Sequence, residues 1–258
     1  MLLLRAWADT STARQYSVLH ENGCSTLIPI PEQKTRLRMA PCFLDPYCTL
    51  SPCTKKPIAD YILGEPFLLH NDPRLDLGFY TGYWAPRGRI PRGLREGDLV
   101  LFMAGLVREE SLEESRRGLE AVQERGAGGV YVVGGLIVER ILDVFREGWE
   151  KALKEHYWLQ CSPHYWRRGD APVALIGRGF LLYPPLRASS RNREPSRELA
   201  SLIGLKKATA LARSNYRRSG LLPLDAWKLL EEFKEGGYDL VYEFSQYFFL
   251  EPSCRKPG

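Results

Sequence analysis

The chain has 258 residues, with 36 Lys and Arg against 31 Asp and Glu, a formal net charge of +5 and 44% hydrophobic residues. This composition is typical of a globular protein with one large domain or two small ones. The longest uncharged run, residues 126–138, is well short of the roughly 20 apolar residues that a transmembrane helix needs.

Short strands and a long loop are predicted for the first part of the chain. Residues 2–7 are apolar apart from Arg5, and they have neither a long apolar core nor a small-residue cleavage site. They therefore predict a first strand and not a signal peptide, and we expect a cytoplasmic protein. Residues 24–31 predict a second short strand closed by prolines. Residues 34–60 hold many Pro and Cys without a sustained period, which predicts a long ordered loop or insertion.

The middle of the chain is richest in strand signals. Residues 99–106 form an apolar run directly after a Gly-Asp turn, which predicts a buried strand. Residues 109–125 are mostly charged and predict a short, solvent-exposed connection between two strands. Residues 130–144 carry the strongest strand signal, and the Gly134-Gly135 pair predicts a bulge or a close backbone approach. A helix is predicted from about residue 145 to residue 156.

A hairpin and two helices are predicted next. Residues 172–177 and 180–182 predict two strands joined through the Gly-Arg-Gly segment at 177–179. Helical spacing follows over residues 196–216 and 224–234. Together these elements indicate a single α+β domain, built on a mixed, strongly bent sheet or a partly open barrel, with helices packed at its C-terminal side.

Six cysteines leave the redox and metal state open. Cys42, Cys48 and Cys53 fall in the predicted loop, and with a histidine such as His20 or His70 they have the ligand types of a metal site. The alternative is buried thiols, or disulfides if the source is a hyperthermophile. We favour the alternative and expect neither a metal nor a cofactor.

The segment of residues 65–84 concentrates side chains that can recognise a ligand. His70 and Asp72 offer hydrogen bonds, and Tyr80, Tyr83 and Trp84 offer flat apolar faces. Such a mixture can hydrogen-bond the polar edge of a nucleobase and stack against its face. The competing interpretation is structural: Asp72-Pro73 is a turn former, and the aromatic side chains fill the core.

A second group of functional residue types lies near residue 164. His164 is followed by two aromatic residues and by Arg167 and Arg168, a combination that can hold a phosphate while a base stacks nearby. The stretch from residue 187 to residue 218 is much more basic than the rest of the chain, which indicates attraction to a phosphate backbone. The predicted phosphate-binding residues are Arg167, Arg168, Arg191, Arg193, Lys206, Lys207, Arg213, Arg217 and Arg218.

Several enzyme classes are excluded by their missing motifs. The chain has no GxxxxGK[ST], no GxGxxG between a strand and a helix, no HExxH and no GxSxG. An acid and a base can still be supplied if the fold brings suitable side chains together. The candidates for such a site are Asp9, Glu32, His70 and Asp72.

Several blocks occur in the order of one known family. The first is an apolar strand reaching Asp9, followed by Asn22-Gly23 and then by LIPIPE at residues 27–32. The later blocks are HNDP at residues 70–73, FYTG at 79–82, GDLVLFMAGL at 97–106, and Pro163-His164 ahead of the two arginines. With these blocks the chain resembles the third type of nucleotide-modification-associated domain.

The resemblance implies a fold and a general functional context. The paired strands over residues 99–106 and 130–144 look like the core of PUA-like barrels, the group that includes EVE, YTH and ASCH domains. That likeness implies a PUA-like core over about residues 62–185, followed by a helical part over 195–258, within one domain. Members of that group hold a single modified base in an aromatic-lined pocket.

Two functions follow as expectations. The leading one is a protein that binds nucleic acid, DNA in the first place, and recognises a modified or flipped base, with no membrane contact. The base would lie against His70, Asp72, Tyr80, Tyr83 or Trp84, and His164, and the arginines and lysines named above would bind phosphates. The alternative is an enzyme that acts on a nucleotide or DNA base by glycosidic-bond or group-transfer chemistry at Asp9, Glu32, His70 and Asp72.

Overall fold

A computed structural model describes most of the chain. The described residues are 2–6, 15–31, 44–63, 69–70, 72–82, 94–117, 122, 125–166, 173–188, 196–203 and 225–242. Among them, no helix has both the length and the apolar character needed to cross a membrane.

Three long antiparallel strands form the centre of the sheet. The described strands are Leu2–Arg5 (β1), Ser17–Leu19 (β2), Ser25–Thr26 (β3), Ile30–Pro31 (β4), Leu69–His70 (β5), Phe79–Gly82 (β6), Leu99–Arg108 (β7), Gly128–Asp143 (β8), Val173–Arg187 (β9) and Asp239–Val241 (β10). β8 lies between β7 and β9 and pairs with both along most of its length. The two strongest sequence signals, β7 and β8, are confirmed as strands.

Short strands complete the sheet on both sides. β1 and β2 both run parallel to β7 along its outer edge, and β3 pairs antiparallel with β2. β6 and β10 pair antiparallel with the outer edge of β9, at its start and at its middle respectively. β4 and β5 form a separate two-stranded sheet. The result is a curled, mixed half-barrel, so the predicted α+β class with a bent mixed sheet is confirmed.

Both faces of the central strands are covered. Along β7, Leu99 and Leu101 belong to one apolar cluster, whereas Val100 and Phe102 belong to another. Successive side chains of a strand point to opposite faces, so a strand buried on both sides needs an unbroken apolar run. This explains why the sequence of β7 shows no alternation of polar and apolar residues.

The glycine pair in β8 allows another strand to approach closely. A Cβ atom added at Gly135 would lie 2.5 Å from the ring of Phe180, a fully buried side chain of β9. The pairing of β8 with β9 also shifts its register between Val132 and Gly134. The predicted bulge and close approach at this pair are both confirmed.

The predicted hairpin at residues 172–182 is wrong, because β9 runs without a turn through this region. The glycines serve a different purpose there. A Cβ atom at Gly177 would lie 1.8 Å from the carbonyl oxygen of Ile137, and one at Gly179 would lie 2.3 Å from the carbonyl oxygen of Leu75. Both positions need glycine because another backbone segment lies where a side chain would begin.

Helices lie between β8 and β9 and after β9. Their described bounds are Val144–Glu147 (α1), Trp149–Glu155 (α2), Pro163–Trp166 (α3), Arg197–Leu202 (α4) and Ala226–Glu235 (α5). The single helix predicted from residue 145 to 156 is divided into α1 and α2, because Gly148 adopts a φ of 79° that interrupts helical geometry. α4 and α5 begin at the N-caps Ser196 and Asp225 and pack on the sheet through one apolar cluster.

Of the loop predicted over residues 34–60, the structure describes residues 44–60, in a segment that continues to residue 63 and is covalently fixed. Cys24, in the turn between β2 and β3, forms a disulfide with Cys53. Cys48 and Cys161 are also disulfide-bonded. Among the described cysteines, the disulfide alternative is therefore the one that the structure shows, rather than a metal site or free thiols. A 3-10 helix at Ile58–Tyr61 places apolar side chains of the loop against the core.

Candidate functional site

Asp72 and His164 meet although they come from distant parts of the sequence. The Nε2 atom of His164 lies 3.5 Å from the Oδ2 atom of Asp72, which is long for a hydrogen bond and within ion-pair distance. Asp72 is 9% exposed and His164 is 7% exposed. Two ionisable side chains are thus held together at the edge of the interior, where their interaction is screened less than on the surface.

A ring of polar contacts holds this pair in place. The backbone N–H of Thr81 approaches the Oδ1 atom of Asp72 at 3.4 Å, and the Thr81 hydroxyl bonds the Ser162 hydroxyl at 2.7 Å. The Ser162 hydroxyl accepts the backbone N–H of His164 at 3.1 Å. Thr81 and Ser162 are fully buried. The four residues therefore join the start of the 72–82 segment, β6 and α3 into one unit, which we name the polar ring.

Each segment of the polar ring is positioned by its own local structure. β6 is paired with β9, which fixes the depth of Thr81. The backbone of Arg74 bonds that of Phe79 in both directions, and the Arg74 side chain bonds Asp76, so the loop after Asp72 closes on itself. Pro163 begins α3, a position where the missing backbone donor of proline costs nothing.

Asp72 and His164 offer different hydrogen-bonding groups to a ligand. A carboxylate only accepts hydrogen bonds, whereas an imidazole can donate or accept at either nitrogen. Asp72 and His164 can therefore bind a polar ligand edge that presents a donor beside a second polar atom. The same two groups can also hold or move a proton.

His70 and Tyr80 lie near the polar ring in sequence but occupy different environments. His70 is 3% exposed and lies in β5, opposite Ile30 of β4. Tyr80 packs edge-on against Phe102, with ring centroids 5.2 Å apart. Since Tyr80 and Thr81 are neighbours in one strand, their side chains point to opposite faces of the sheet, and Tyr80 points away from the side of Ser162.

An aromatic corner adjoins the polar ring through α3. Tyr165 contacts Trp149 and Trp166 edge-on, with ring centroids 5.4 and 5.1 Å apart. The Trp166 indole N–H donates to the carbonyl oxygen of Gln160 at 2.6 Å, and 36% of the residue is exposed. The corner thus presents a fixed tryptophan face to solvent within one turn of His164.

His156 directly follows α2, and its surroundings favour the neutral imidazole. Burial lowers the pKa of the His156 side chain, and the positive charge of Arg140 lowers it further. Within the described part of the chain, neither ring nitrogen of His156 has a hydrogen-bond partner. Its ring packs edge-on against Trp158, so we regard this histidine as part of the packing.

The remaining predicted site residues lie outside the described residues. They are Asp9, Glu32, Tyr83, Trp84, Arg167, Arg168, Arg191, Arg193, Lys206, Lys207, Arg213, Arg217 and Arg218. Their assigned roles stay predictions from the sequence.

Thr81 and Ser162 are the members of the polar ring that are absent from the site residues predicted from the sequence, and for Ser162 a local signal exists. A serine directly before a proline is a signal for a helix start, because serine caps the helix and proline suits its first position. The Cys-Ser-Pro-His order at residues 161–164 carries this signal. It indicates a cap, although it does not reveal that the hydroxyl also reaches Thr81.

Replacement of Thr81 by valine tests the polar ring. The change keeps the shape of the side chain but leaves the buried Ser162 hydroxyl without its bond to Thr81, so we expect the free energy of unfolding to fall by about 1–3 kcal/mol. Urea denaturation measures this. Thr81→Ser, which keeps the hydroxyl and loses one methyl group, should cost only about 1 kcal/mol. An equal loss in both variants would show that the hydroxyl has no special importance.

A family model matches most of the chain. The sequence model of a family described as nucleotide modification associated domain 3 matches residues 1–229. Neither the comparison with curated proteins nor the comparison with solved structures found a match. The matched range includes the polar ring, the aromatic corner and the whole sheet except β10.

Proposed function

Because the chain belongs to the nucleotide modification associated domain 3 family, whose name implies a nucleic-acid modification context, we propose that it binds nucleic acid and recognises a modified or flipped base at the Asp72–His164 pair. The observation that carries this proposal is the preorganised pair itself. A carboxylate and an imidazole lie 3.5 Å apart and are held by buried hydrogen bonds that involve Thr81 and Ser162, and the partly exposed Trp166 follows His164 by two residues.

The pair suits the edge of a base better than it suits a phosphate. Proteins read an extruded base by hydrogen bonds to its polar edge and by stacking on its face. Asp72 would accept a hydrogen bond from an amino or ring N–H group, and His164 would bond the neighbouring ring nitrogen or carbonyl. A phosphate would be repelled by the Asp72 carboxylate. Sites whose side chains are fixed by surrounding contacts bind with less loss of entropy.

Trp166 offers the stacking surface. Extruding a base from a duplex costs a few kcal/mol, and stacking on an aromatic side chain contributes about 1–3 kcal/mol per base. The edge-on contact with Tyr165 and the bond to Gln160 hold the indole in one orientation. Little entropy would therefore be lost when a base stacks on it.

The positive charge of the chain supplies the sequence-independent part of binding. Arg167 and Arg168 follow Trp166 directly in the sequence, and the whole chain carries a net charge of +5. Contacts to phosphates release counterions, so affinity falls steeply with salt. With three phosphates contacted, a fourfold increase in salt should weaken binding about 40-fold.

An enzyme acting on a nucleotide or DNA base is the second candidate. One observation favours it: a histidine beside a carboxylate is the arrangement that general acid–base chemistry uses. In this alternative His164 exchanges a proton with the substrate and Asp72 orients the imidazole. Asp9 and Glu32, which the sequence suggested as further carboxylates, fall outside the described residues.

Binding to matched oligonucleotides tests both candidates. The purified protein is titrated with fluorescent DNA of one sequence, either plain or with single modified bases, at 50 and 200 mM salt. The mass of the DNA is then measured by mass spectrometry. We expect salt-dependent binding, a preference for one modified base and an unchanged mass. A changed mass would establish the enzyme. No binding at 50 mM salt would contradict the proposed function.

A further inference from the structure

A second buried polar cluster surrounds His20 and takes no part in the polar ring. The Nδ1 atom of His20 lies 2.9 Å from the Oε2 atom of Glu109, and its Nε2 atom lies 2.8 Å from the Thr26 hydroxyl. The Thr26 hydroxyl lies 2.6 Å from the Ser51 hydroxyl. His20 is 7% exposed, and Thr26 and Ser51 are fully buried.

The direction of the hydrogen bond between Ser51 and Thr26 can be deduced. The Ser51 hydroxyl accepts the backbone N–H groups of Cys53 and Thr54, at 3.2 and 3.3 Å, so both of its lone pairs are occupied. Its proton must therefore point to Thr26. The Nδ1–H group of His20 donates to the Glu109 carboxylate, which can only accept. The Nε2 atom of His20 shares a hydrogen bond with the Thr26 hydroxyl.

The spacing is that of a hydroxyl–histidine–carboxylate relay, but burial excludes a catalytic role for it. A nucleophilic hydroxyl must meet its substrate, whereas neither Thr26 nor Ser51 is exposed at all. What the cluster does is join two segments. His20 and Thr26 belong to the β2–β3 hairpin, and Ser51 belongs to the 44–63 segment.

The Cys24–Cys53 disulfide joins the same two segments. Cys24 lies in the turn of the hairpin, where its carbonyl oxygen accepts the backbone N–H of His20 at 2.9 Å. Cys53 lies two residues beyond Ser51 and donates its own N–H to the Ser51 hydroxyl. The covalent bond and the hydrogen-bond chain therefore form one fastening, which we name the latch.

The 44–63 segment connects the latch to the sheet that carries His70. Leu44 and Leu69 bond each other through their backbones, at 2.8 and 2.9 Å, and Leu69 directly precedes His70 in β5. Ile58 and Tyr61 of the same segment share an apolar cluster with Leu69. Movement of this segment away from the latch would remove support from β5.

Solvent can reach the neighbourhood of the latch. Cys24 and Cys53 are each partly exposed. A cavity of about 250 Å³ lies beside the turn, lined by Leu19, His20, Glu21, Gly23, Arg108 and Glu110. Gly23 precedes Cys24 directly, so a small reductant has room to approach the turn.

We propose that the Cys24–Cys53 disulfide is a redox switch: reduction by a dithiol releases the 44–63 segment, removes its support from β5, and weakens ligand binding at Asp72, which lies two residues beyond β5. A thiolate of the dithiol attacks the sulfur of one cysteine and expels the other cysteine as a thiolate, which leaves a mixed disulfide. The second thiolate of the reductant then attacks the reductant's own sulfur in that mixed disulfide and expels the remaining cysteine as a thiolate. Two electrons and two protons end on Cys24 and Cys53, and the dithiol becomes a cyclic disulfide. The part that concerns ligand binding rests on the proposed function.

Limited proteolysis with trypsin tests the release of the segment directly. Lys55 is exposed in the full-length protein, and cleavage between Lys55 and Lys56 can be followed by mass spectrometry. We expect this bond to be cut at least tenfold faster after treatment with dithiothreitol. Because dithiothreitol also reduces the other disulfides, including that of Cys48 in the same segment, the double variant Cys24→Ser/Cys53→Ser isolates this one. Without reductant it should be cut at least tenfold faster than the oxidised protein. Thr26→Val, which breaks only the hydrogen-bond chain, should change the rate less than threefold.

Hydrogen exchange and binding complete the test. The amides of β7 and β8 should exchange at the same rate in the oxidised protein and in the double variant, because release is local. A cleavage rate within twofold of the oxidised protein, or faster exchange throughout β7 and β8, would overturn the switch. Oligonucleotide affinity is measured on the double variant, because reduction would also break the disulfide of Cys161 beside the polar ring. It should be at least tenfold lower than that of the oxidised protein; unchanged affinity with a released segment would overturn its influence on the site. If the oxidised protein binds no oligonucleotide, the proposed function fails, and the cleavage rates still decide the switch.

Discussion

Replacement of Asp72 by asparagine should weaken binding to the preferred modified oligonucleotide by about 10- to 100-fold, and binding to plain DNA by less than threefold. Asparagine keeps the size of the side chain and one oxygen for the Thr81 N–H group, but it puts a donor where the ligand also presents one. A good contact to a base edge is worth about 1–3 kcal/mol of discrimination. Competition titrations with fluorescent DNA measure the two affinities side by side.

The matched control is Asp76→Asn. Asp76 lies in the same loop and is bonded to Arg74, so its replacement removes a carboxylate of similar position without touching the Asp72–His164 pair. We expect this variant to keep its preference for the modified oligonucleotide. If Asp72→Asn lowered the affinity for plain and modified DNA equally, the assignment of the base edge to this pair would be wrong.

Replacement of Gly177 by alanine should be the most destabilising single-methyl change in the sheet. The added Cβ would lie 1.8 Å from the carbonyl oxygen of Ile137 and 2.9 Å from the backbone nitrogen of Glu139, so β8 and β9 would have to separate locally. Overpacking of this kind costs about 3 kcal/mol or more when backbone atoms must move. For a protein of this size we expect the Tm to fall by about 6–12 °C, as measured by calorimetry.

Gly129→Ala provides the control for that measurement. Gly129 is also a glycine of β8, but its added Cβ would meet its nearest neighbour, the ring of Tyr131, at an ordinary 3.4 Å. The Tm of this variant should stay within about 3 °C of the original, since substitutions without a clash are usually small. Equal Tm values for the two variants would show that the strands can absorb the clash at Gly177.

The sequence predicts the central strands well because a strand that is buried on both faces must be apolar along most of its length. β7 and β8 are long apolar runs, and such runs have few structural alternatives. The prediction of a hairpin at residues 172–182 is wrong because glycine has two structural uses. Glycine allows a turn and also allows a second backbone to approach closely, and these two uses of Gly177 and Gly179 look the same in one sequence.

The sequence predicts individual residues of the candidate site but not the contact between them. Asp72 and His164 stand out in the sequence as residue types that recognise ligands, but their contact depends on where β6 and α3 are placed by the rest of the fold. His20 was named only as a possible companion of the cysteines in a metal site. Its actual partners, Thr26 and Glu109, are common surface residue types, and they carry no signal until the hairpin and the end of β7 are brought together.

The C-terminal strand has a consequence for where this domain ends. β10 pairs with β9 at Leu181–Tyr183, yet it lies beyond the residues that the family match covers, which stop at residue 229, inside α5. A protein trimmed to the matched range would lose most of α5 and would leave this stretch of β9 as an open edge. Unpaired strand edges template association between molecules. The structural unit therefore extends at least to Val241.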